Sequence, residues 1–571
     1  MQNQNKGTKI LIRIGGEAGQ GIESLGQILA KALVRAGYEV LTSQSAMSRI
    51  RGGHNYFSIN AGLEPVHAPG EDIDLLLAFT EETVSVHADY VAVSGLILTG
   101  EGMGDTGSAG VLGIPLSELA REKIVHNVAA LGVVSALLGL EQEIVSKVVE
   151  ETVGEKHSEL TDKNLQALQG GYRWAAEQSP DFETFPKPAS AKGKLAMNGN
   201  QAIALGAMAA GVNFCSFYPM TPATGVALNL IAYSDEMGIV CEQAEDEIAA
   251  VNMAIGSSFC GGKSLVPTSG GGFALMSEGI SLAGMTETPL LLVLGQRPGP
   301  ATGLPTRTEQ GDLELAMHSG HGEFPRAILA PATVEECFYL ASRALDLAER
   351  YQTPAIVLID QYLADSVRSV ERFDQNLVHG PVKPWEQAEE TGEYQRYTWS
   401  DSGVSPRLLP GKTRHLVVAD SDEHTPDGHI TEDHQVRVQM VNKRLQKLQG
   451  MQKEVIPPSY EGPEDPELLL ITWGSGSGAV QEAAGVLNSR GESAAVLSFS
   501  QVWPLDPELF QSRLERAGSI VCVEGNATGQ FANLLQRETG FGIDRLVLRY
   551  DGLPLTSGFI LRAFDRKDEL T

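Results

Sequence analysis

Cys241-Glu242-Gln243-Ala244-Glu245-Asp246-Glu247 places three carboxylates at the start of a helix predicted to run from Glu245 to Phe259. Acids in a first turn favour the positive end of the helix dipole, and a buried one could instead move a proton. Composition leaves both uses open. A second loaded stretch runs from Thr268 to Leu313. It opens on Gly270-Gly271-Gly272, passes through a helical segment Phe273 to Met285 and an apolar strand Pro289 to Leu294, and ends in a loop dense in Gly, Pro, Thr and Arg. Such a loop is entropically costly to order, and plain connections are shorter. A ligand site at the end of a strand is therefore the better reading.

Other segments carry weaker signals. Gly15 to Gly21 is a glycine-rich turn between a strand and a helix, able to present N–H groups to an anion. It departs from G-x-G-x-x-G because position 24 is Ser, and a tight turn is the competing reading. Ser48 to Asn55 (SRIRGGHN) adds cations and glycine, or is a surface loop. Gly261-Gly262-Lys263-Ser264 lacks the glycine that a P-loop needs at 257 and follows a helical segment, which excludes triphosphate binding there. Tyr218 to Gly225, Trp473 to Gly478 and Val523 to Gln530 read on their own as rigid turns at strand ends. His318 and His321 lack a third ligand close in sequence, so no zinc site is expected. The five cysteines are scattered and never spaced C-x-x-C. That disfavours a disulfide framework and a self-contained iron–sulfur cluster, and favours a cytoplasmic location.

The elements around these segments alternate in α/β fashion. At 571 residues the chain needs several cores. A first α/β domain is expected over 1–178, with strands Lys9 to Ile14, Val40 to Thr42 and Asp74 to Phe79 and a helix Ile22 to Ala36. A Pro- and Ser-rich linker follows over 179–192. A second α/β unit spans 193–373, a weakly periodic connecting module with a late helix Gln435 to Leu448 spans 374–459, and a last α/β domain 460–571. The net charge of −29 argues against nucleic acid and anionic membranes. No apolar run is long enough to span a bilayer, and the first residues carry no signal-like apolar region.

Taken in order, these segments resemble the 2-oxoacid:ferredoxin oxidoreductases. Tyr218 to Thr221 is similar to the family's YPITP motif, with Met220 in place of Ile. Gln243 to Glu247 resembles its thiamine-activating glutamate segment. Thr268 to Leu313 resembles its TSGGGF…LMxE…AGMxExP…QRxGP…TGxPT…QxDL signature, with Ala301 for a common Ser. Ser405 to Gly411, Glu524 to Gln530, and GGEAGQGI with RGGHN (the gamma domain) are similar to further family segments. The resemblance implies a fused gamma–alpha subunit, with a Rossmann-like gamma domain, a thiamine-enzyme pyrimidine domain and a transketolase C-terminal-like domain.

The resemblance further implies thiamine diphosphate-dependent oxidative decarboxylation of a 2-oxoacid, with the acyl group passed to coenzyme A and electrons to ferredoxin. 2-Oxoglutarate is the expected substrate. Pyruvate, aryl pyruvates, branched-chain acids and a non-catalytic scaffold role are the alternatives. The sequence has neither a GDG segment nor clustered cysteines, so a beta subunit is expected to supply the diphosphate site, Mg2+ and a [4Fe-4S] cluster, in an (αβ)2 assembly. Glu245 is expected to meet the aminopyrimidine, with Glu242 and Glu247 as the alternatives. Thr221, Arg297 and Thr306 are expected on the substrate side, Arg297 as a cationic fork for a carboxylate. Gly270 and Gly271 would shape the backbone near the pyrimidine. Gly19, Gly21 and Arg51 are candidates for coenzyme A phosphates.

Overall fold

The computed structural model describes residues 7–47, 53–100, 110–154, 160–178, 180, 182–183, 185–191, 193–378 and 392–565. The chain forms a multidomain α/β protein and divides into two compact units. The first takes 1–198, then adds 365–372 and 556–562 from much later in the chain. Its sheet has the spatial order Val111–Ile114, Val91–Gly100, Ile73–Ala78, Lys9–Glu17, His54–Gly62, Glu39–Ser45, Arg368–Val370, Leu195–Met197. The unit thus runs past the expected boundary at 178, because Leu195–Met197 and Arg368–Val370 complete its edge.

The apolar run Lys9–Ile14 lies inside this sheet, parallel to Ile73–Ala78 and antiparallel to His54–Gly62. Helix Ile22–Ala36 covers one face and ends at Gly37, whose φ of 100° allows a left-handed cap. Helices His126–Leu137 and Thr161–Glu177 are small-residue rich for a visible reason. A Cβ on Gly132 would meet the Leu168 carbonyl, and one on Gly171 would meet that of Ala129. The two backbones touch.

The second unit holds two sheets. The larger has the order Gln501–Trp503, Ala327–Leu329, Pro354–Asp360, Leu290–Gln296, Ser264–Ser269, Phe214–Phe217, Val240–Gln243. All its neighbours are parallel except the edge strand Gln501–Trp503. Parallel sheets are covered on both faces, so their strands read as continuous apolar runs, as Leu290–Leu294 does. The smaller sheet, Ser459–Glu461, Ala494–Phe499, Leu468–Trp473, Ser519–Glu524, Arg545–Leu548, packs against it through one shared core including Leu292, Ile328, Trp473 and Phe499.

The connecting module contributes helix His434–Gln452, longer than the predicted Gln435–Leu448. Its buried face sets Lys443, Arg444 and Lys447 between the apolar Met440 and Met451. Lys443 and Lys447 both reach the fully buried Glu287, at 2.7 and 2.6 Å, and Arg396 donates to the Glu287 carbonyl at 2.8 Å. Burial pushes the Glu287 carboxyl up, but Lys447, Lys443 and Arg396 hold it below the usual carboxylate range. Burial pushes Lys447 down to about 7.

Candidate active site

In an open parallel sheet, ligands collect where strands end and loops diverge. Strands Phe214–Phe217, Ser264–Ser269 and Leu290–Gln296 lie side by side, with Cys215 opposite Leu265 and Ser269 opposite Gly295. Their ends deliver three predicted segments to one place: Tyr218 to Gly225, the triple glycine, and the loop beginning at Arg297. Gly295 has no room for a side chain, since a Cβ there would lie 2.9 Å from Pro222 Cγ. The Thr221–Pro222 segment therefore rests on the end of the Arg297 strand. Arg297 Nη1 donates to the Thr221 carbonyl at 2.8 Å. The structure brings these two predicted residues together and leaves Arg297 half-buried and Thr221 exposed. Burial lowers the Arg297 guanidinium from its ordinary value while Asp312 opposes the shift. Thr306 is half-buried further along the same loop.

The carboxylate cluster separates into three environments. Asp246 is the N-cap of helix Glu247–Phe259, and its Oδ1 accepts from Ala249 N at 2.7 Å. Glu245 precedes the helix and is exposed, as is Glu242. Glu247 is only 3 % exposed, and its Oε1 is buried without a hydrogen-bond partner. A buried carboxylate oxygen left unpaired costs free energy, so such a group is one that a bound polar partner would satisfy. The capping role falls to Asp246, and the buried carboxylate of the cluster is Glu247. The expected choice of Glu245 places the role on a side chain facing solvent; burial singles out Glu247.

The triple glycine explains itself at this point. A Cβ on Gly272 would collide with Thr268 Oγ1 and lie 2.8 Å from Glu247 Oε1. A Cβ on Gly270 would lie 2.6 and 2.7 Å from the two carboxylate oxygens of Asp312. Gly271 meets only the Ala301 carbonyl, at 4.0 Å. The turn is therefore flanked by two carboxyl groups, Glu247 and Asp312, and the Asp312 Oδ2 is also buried and unpartnered. Asp312 carried no role in the sequence reading, although it lies in the Gln310-Gly311-Asp312-Leu313 end of the most specific run.

The loop bearing Asp312 is gripped by the smaller sheet. Gln310 N donates to Gly525 O at 2.6 Å, and Gly525 N returns a bond to Gln310 Oε1 at 2.8 Å. Gln310 Nε2 reaches Trp473 O at 3.0 Å, and Gln530 Nε2 reaches Gly311 O at 2.8 Å. The gripping loop is itself fixed by buried Glu524, which accepts from Trp473 Nε1, Asn526 Nδ2, Phe531 N and Ala532 N. The Glu524 to Gln530 segment, which alone reads as a turn, is a clamp.

The first unit holds the other predicted glycines. Gly15 and Gly16 are in the sheet ladder opposite Tyr56 and Asn55. Gly19 and Gly21 follow with φ of 92° and 73°. They line a cleft of about 330 Å³ with Gln44, Tyr56 and the carboxylates Glu17 and Glu23. Arg51 lies outside the described residues. His54 and Asn55, for which a surface loop is the competing reading, begin a nine-residue strand. His54 Nε2 sits 2.8 Å from His87 Nε2, and burial, Arg13 and His54 push His87 down to about 3. Residues 54 and 87 are too far apart in sequence for any local pattern to have paired them. Among the described residues no group of His, Cys, Asp and Glu could hold a metal ion, and no helix is long and apolar enough to cross a membrane.

Comparison with known proteins agrees with this anatomy. Residues 205–443 match the model of pyruvate flavodoxin/ferredoxin oxidoreductase, thiamine diphosphate-binding. Residues 11–174 match pyruvate ferredoxin/flavodoxin oxidoreductase, and 461–551 the transketolase C-terminal domain. The chain is 31% identical to the 2-oxoacid:ferredoxin oxidoreductase subunit alpha of a Sulfolobus species, over 95% of this chain and 94% of that one. It is 30% identical to subunit alpha of 2-oxoacid:ferredoxin oxidoreductase 1 from Sulfurisphaera tokodaii, over 95% of each. Among solved structures it is similar to 2-oxoglutarate:ferredoxin oxidoreductase from Magnetococcus marinus, with 2-oxoglutarate, coenzyme A and succinyl-CoA bound. That likeness has a TM-score of 0.90 and 32% identity, covering 98% of this chain and 99% of the other.

Proposed function

Since the chain belongs to the 2-oxoacid:ferredoxin oxidoreductases, as an alpha-type subunit, we propose that it is the fused gamma–alpha subunit of an enzyme that oxidatively decarboxylates 2-oxoglutarate with coenzyme A and reduces ferredoxin. The observation that carries this reading is Glu247: a buried carboxylate with an unpaired oxygen, beside a triple glycine, in a chain of this family. The donor set fits the aminopyrimidine side of thiamine diphosphate, an acceptor next to bare backbone. When bound, that cofactor supplies the carbanion chemistry that lets CO2 leave.

Glu247, rather than Glu245, is assigned to accept a hydrogen bond from the aminopyrimidine and to hold the proton exchanged there. Gly270 and Gly272 keep the backbone close by excluding side chains. Arg297, tethered to the Thr221 carbonyl, binds the oxoacid carboxylate; Thr221 and Thr306 orient the rest. Gly19, Gly21 and Arg51 are assigned to coenzyme A phosphates.

A beta subunit is proposed to bring the diphosphate site, Mg2+ and the [4Fe-4S] cluster, in an (αβ)2 assembly. Exposed apolar side chains on the elements leading to the Glu247 helix support this. Leu228, Met237, Val240 and Ile248 are each at least half exposed, and large apolar groups left in water are what a protein contact would cover. The test is viologen reduction by the complex purified with its beta partner, given coenzyme A and 2-oxoglutarate, pyruvate, an aryl pyruvate or a branched-chain acid. Reduction with 2-oxoglutarate is expected; a preference for another acid would overturn the substrate assignment, and no reduction with any would overturn the function.

A further inference from the structure

Asp312 is an ionisable group that the reading above leaves without a duty. Its backbone N–H is held by Gln296 Oε1 at 3.1 Å, and both its carboxylate oxygens face Gly270. Oδ2 is buried with no hydrogen-bond partner. The clamp on Gln310 and Gly311 keeps the loop from carrying it out to water. The charged groups acting on it are Glu309, from its own loop, and Arg297, from the end of the neighbouring strand. The segment Gly270–Leu275 packed against it has no ionisable side chain. Burial and Glu309 push its carboxyl up to about 6, while Arg297 pulls the other way.

Resting on the assignment of Arg297 to the oxoacid carboxylate, we propose that Asp312 is the charge-balancing residue of the substrate site. It is ionised in the free enzyme and takes up one proton from water, at Oδ2, when an oxoacid carboxylate docks on Arg297. One guanidinium cannot neutralise two carboxylates in a poorly solvated site, so the arriving charge raises the affinity of the resident one for a proton. The proton returns to water when the docked carboxylate leaves. Ionised, Asp312 only accepts hydrogen bonds; protonated, it also offers a donor beside Gly270. Asp312 acts through Arg297 and is a positioning residue.

The experiment is calorimetric titration of 2-oxoglutarate, with pyruvate as a second titrant, into the complex assembled without thiamine diphosphate, so that the oxoacid binds without reacting. Runs in two buffers of different ionisation enthalpy count the protons exchanged. Net proton uptake is expected above pH 6, with the Kd rising toward about tenfold per pH unit where uptake is complete. Asp312→Asn should abolish the uptake and flatten the Kd against pH. Glu309→Gln should shift the uptake midpoint to lower pH, and covers the case in which Asp312→Asn does not assemble. The infrared difference spectrum of the bound wild type should contain a protonated-carboxyl band that Asp312→Asn removes. Binding without proton uptake, uptake unchanged in Asp312→Asn, or an unmoved midpoint in Glu309→Gln overturns the inference and leaves the function standing. Binding of neither titrant overturns both.

Discussion

The two glycine-rich turns of this protein look alike in sequence and are built for different reasons. In the turn from Gly15 to Gly21, Gly19 is there for its backbone conformation: it is left-handed, and nothing lies within 4 Å of a Cβ on it, while Gly21 is left-handed and also pressed by Asn127. In Gly270-Gly271-Gly272 none of the three has a positive φ. Those at the ends are there for space, because carboxylates occupy the volume a side chain would need. A glycine kept for conformation tolerates neighbours and resists new dihedrals; a glycine kept for space does the reverse. The second kind is the stronger sign of a site, since it records something pressed against the backbone.

The contrast can be broken most severely at Glu247. Glu247→Gln is expected to lower kcat by about 10²–10⁴-fold, the range of proton-transfer assistance, while Glu245→Gln leaves it near wild type. Steady-state viologen reduction on both variants checks this, and the reverse ranking would return the role to Glu245. Gly272→Ala should lose activity comparably by displacing Glu247, at a stability cost of about 1–3 kcal/mol read from denaturant unfolding. Arg297→Gln comes next. Loss of a charge-assisted contact should raise KM for the oxoacid about ten- to a hundredfold, with a smaller change in kcat. Gly19→Ala is the mildest. Its left-handed φ should cost about 1–2 kcal/mol of stability, and 2-oxoglutarate KM should stay unchanged. A large oxoacid effect there would erase the distinction between the turns.

Much of both units was legible because their strands are short apolar runs ending in turn residues. In the first, helix Ile22–Ala36, and in the second, strand Leu290–Gln296, lie where periodicity places them. The unread parts depend on tertiary neighbours. Three adjacent acids look equivalent until the helix begins at Glu247 and turns that one inward. Asp312 became notable only through Gly270, 42 residues away in sequence. Helix His434–Gln452 turns Lys443 and Lys447 inward onto Glu287 and Arg444 onto Glu423, pairings that no local pattern reports. The strand His54–Gly62 was hidden behind its glycine- and arginine-rich prefix.

The sheet of the first unit also has a timetable. Strand Glu39–Ser45 finds its outer neighbour in Arg368–Val370, secured by Ser366 Oγ to the Thr42 carbonyl and Thr42 Oγ1 from Val367 N at 2.8 Å. On the ribosome, at about 5–20 residues per second, that partner is made on the order of tens of seconds later. Until then an N-terminal α/β layer has folded around an open strand edge, the kind of surface that recruits other chains. Splitting the gene at the linker would make that interval permanent, unless the downstream polypeptide could thread its own strand into a neighbour's sheet.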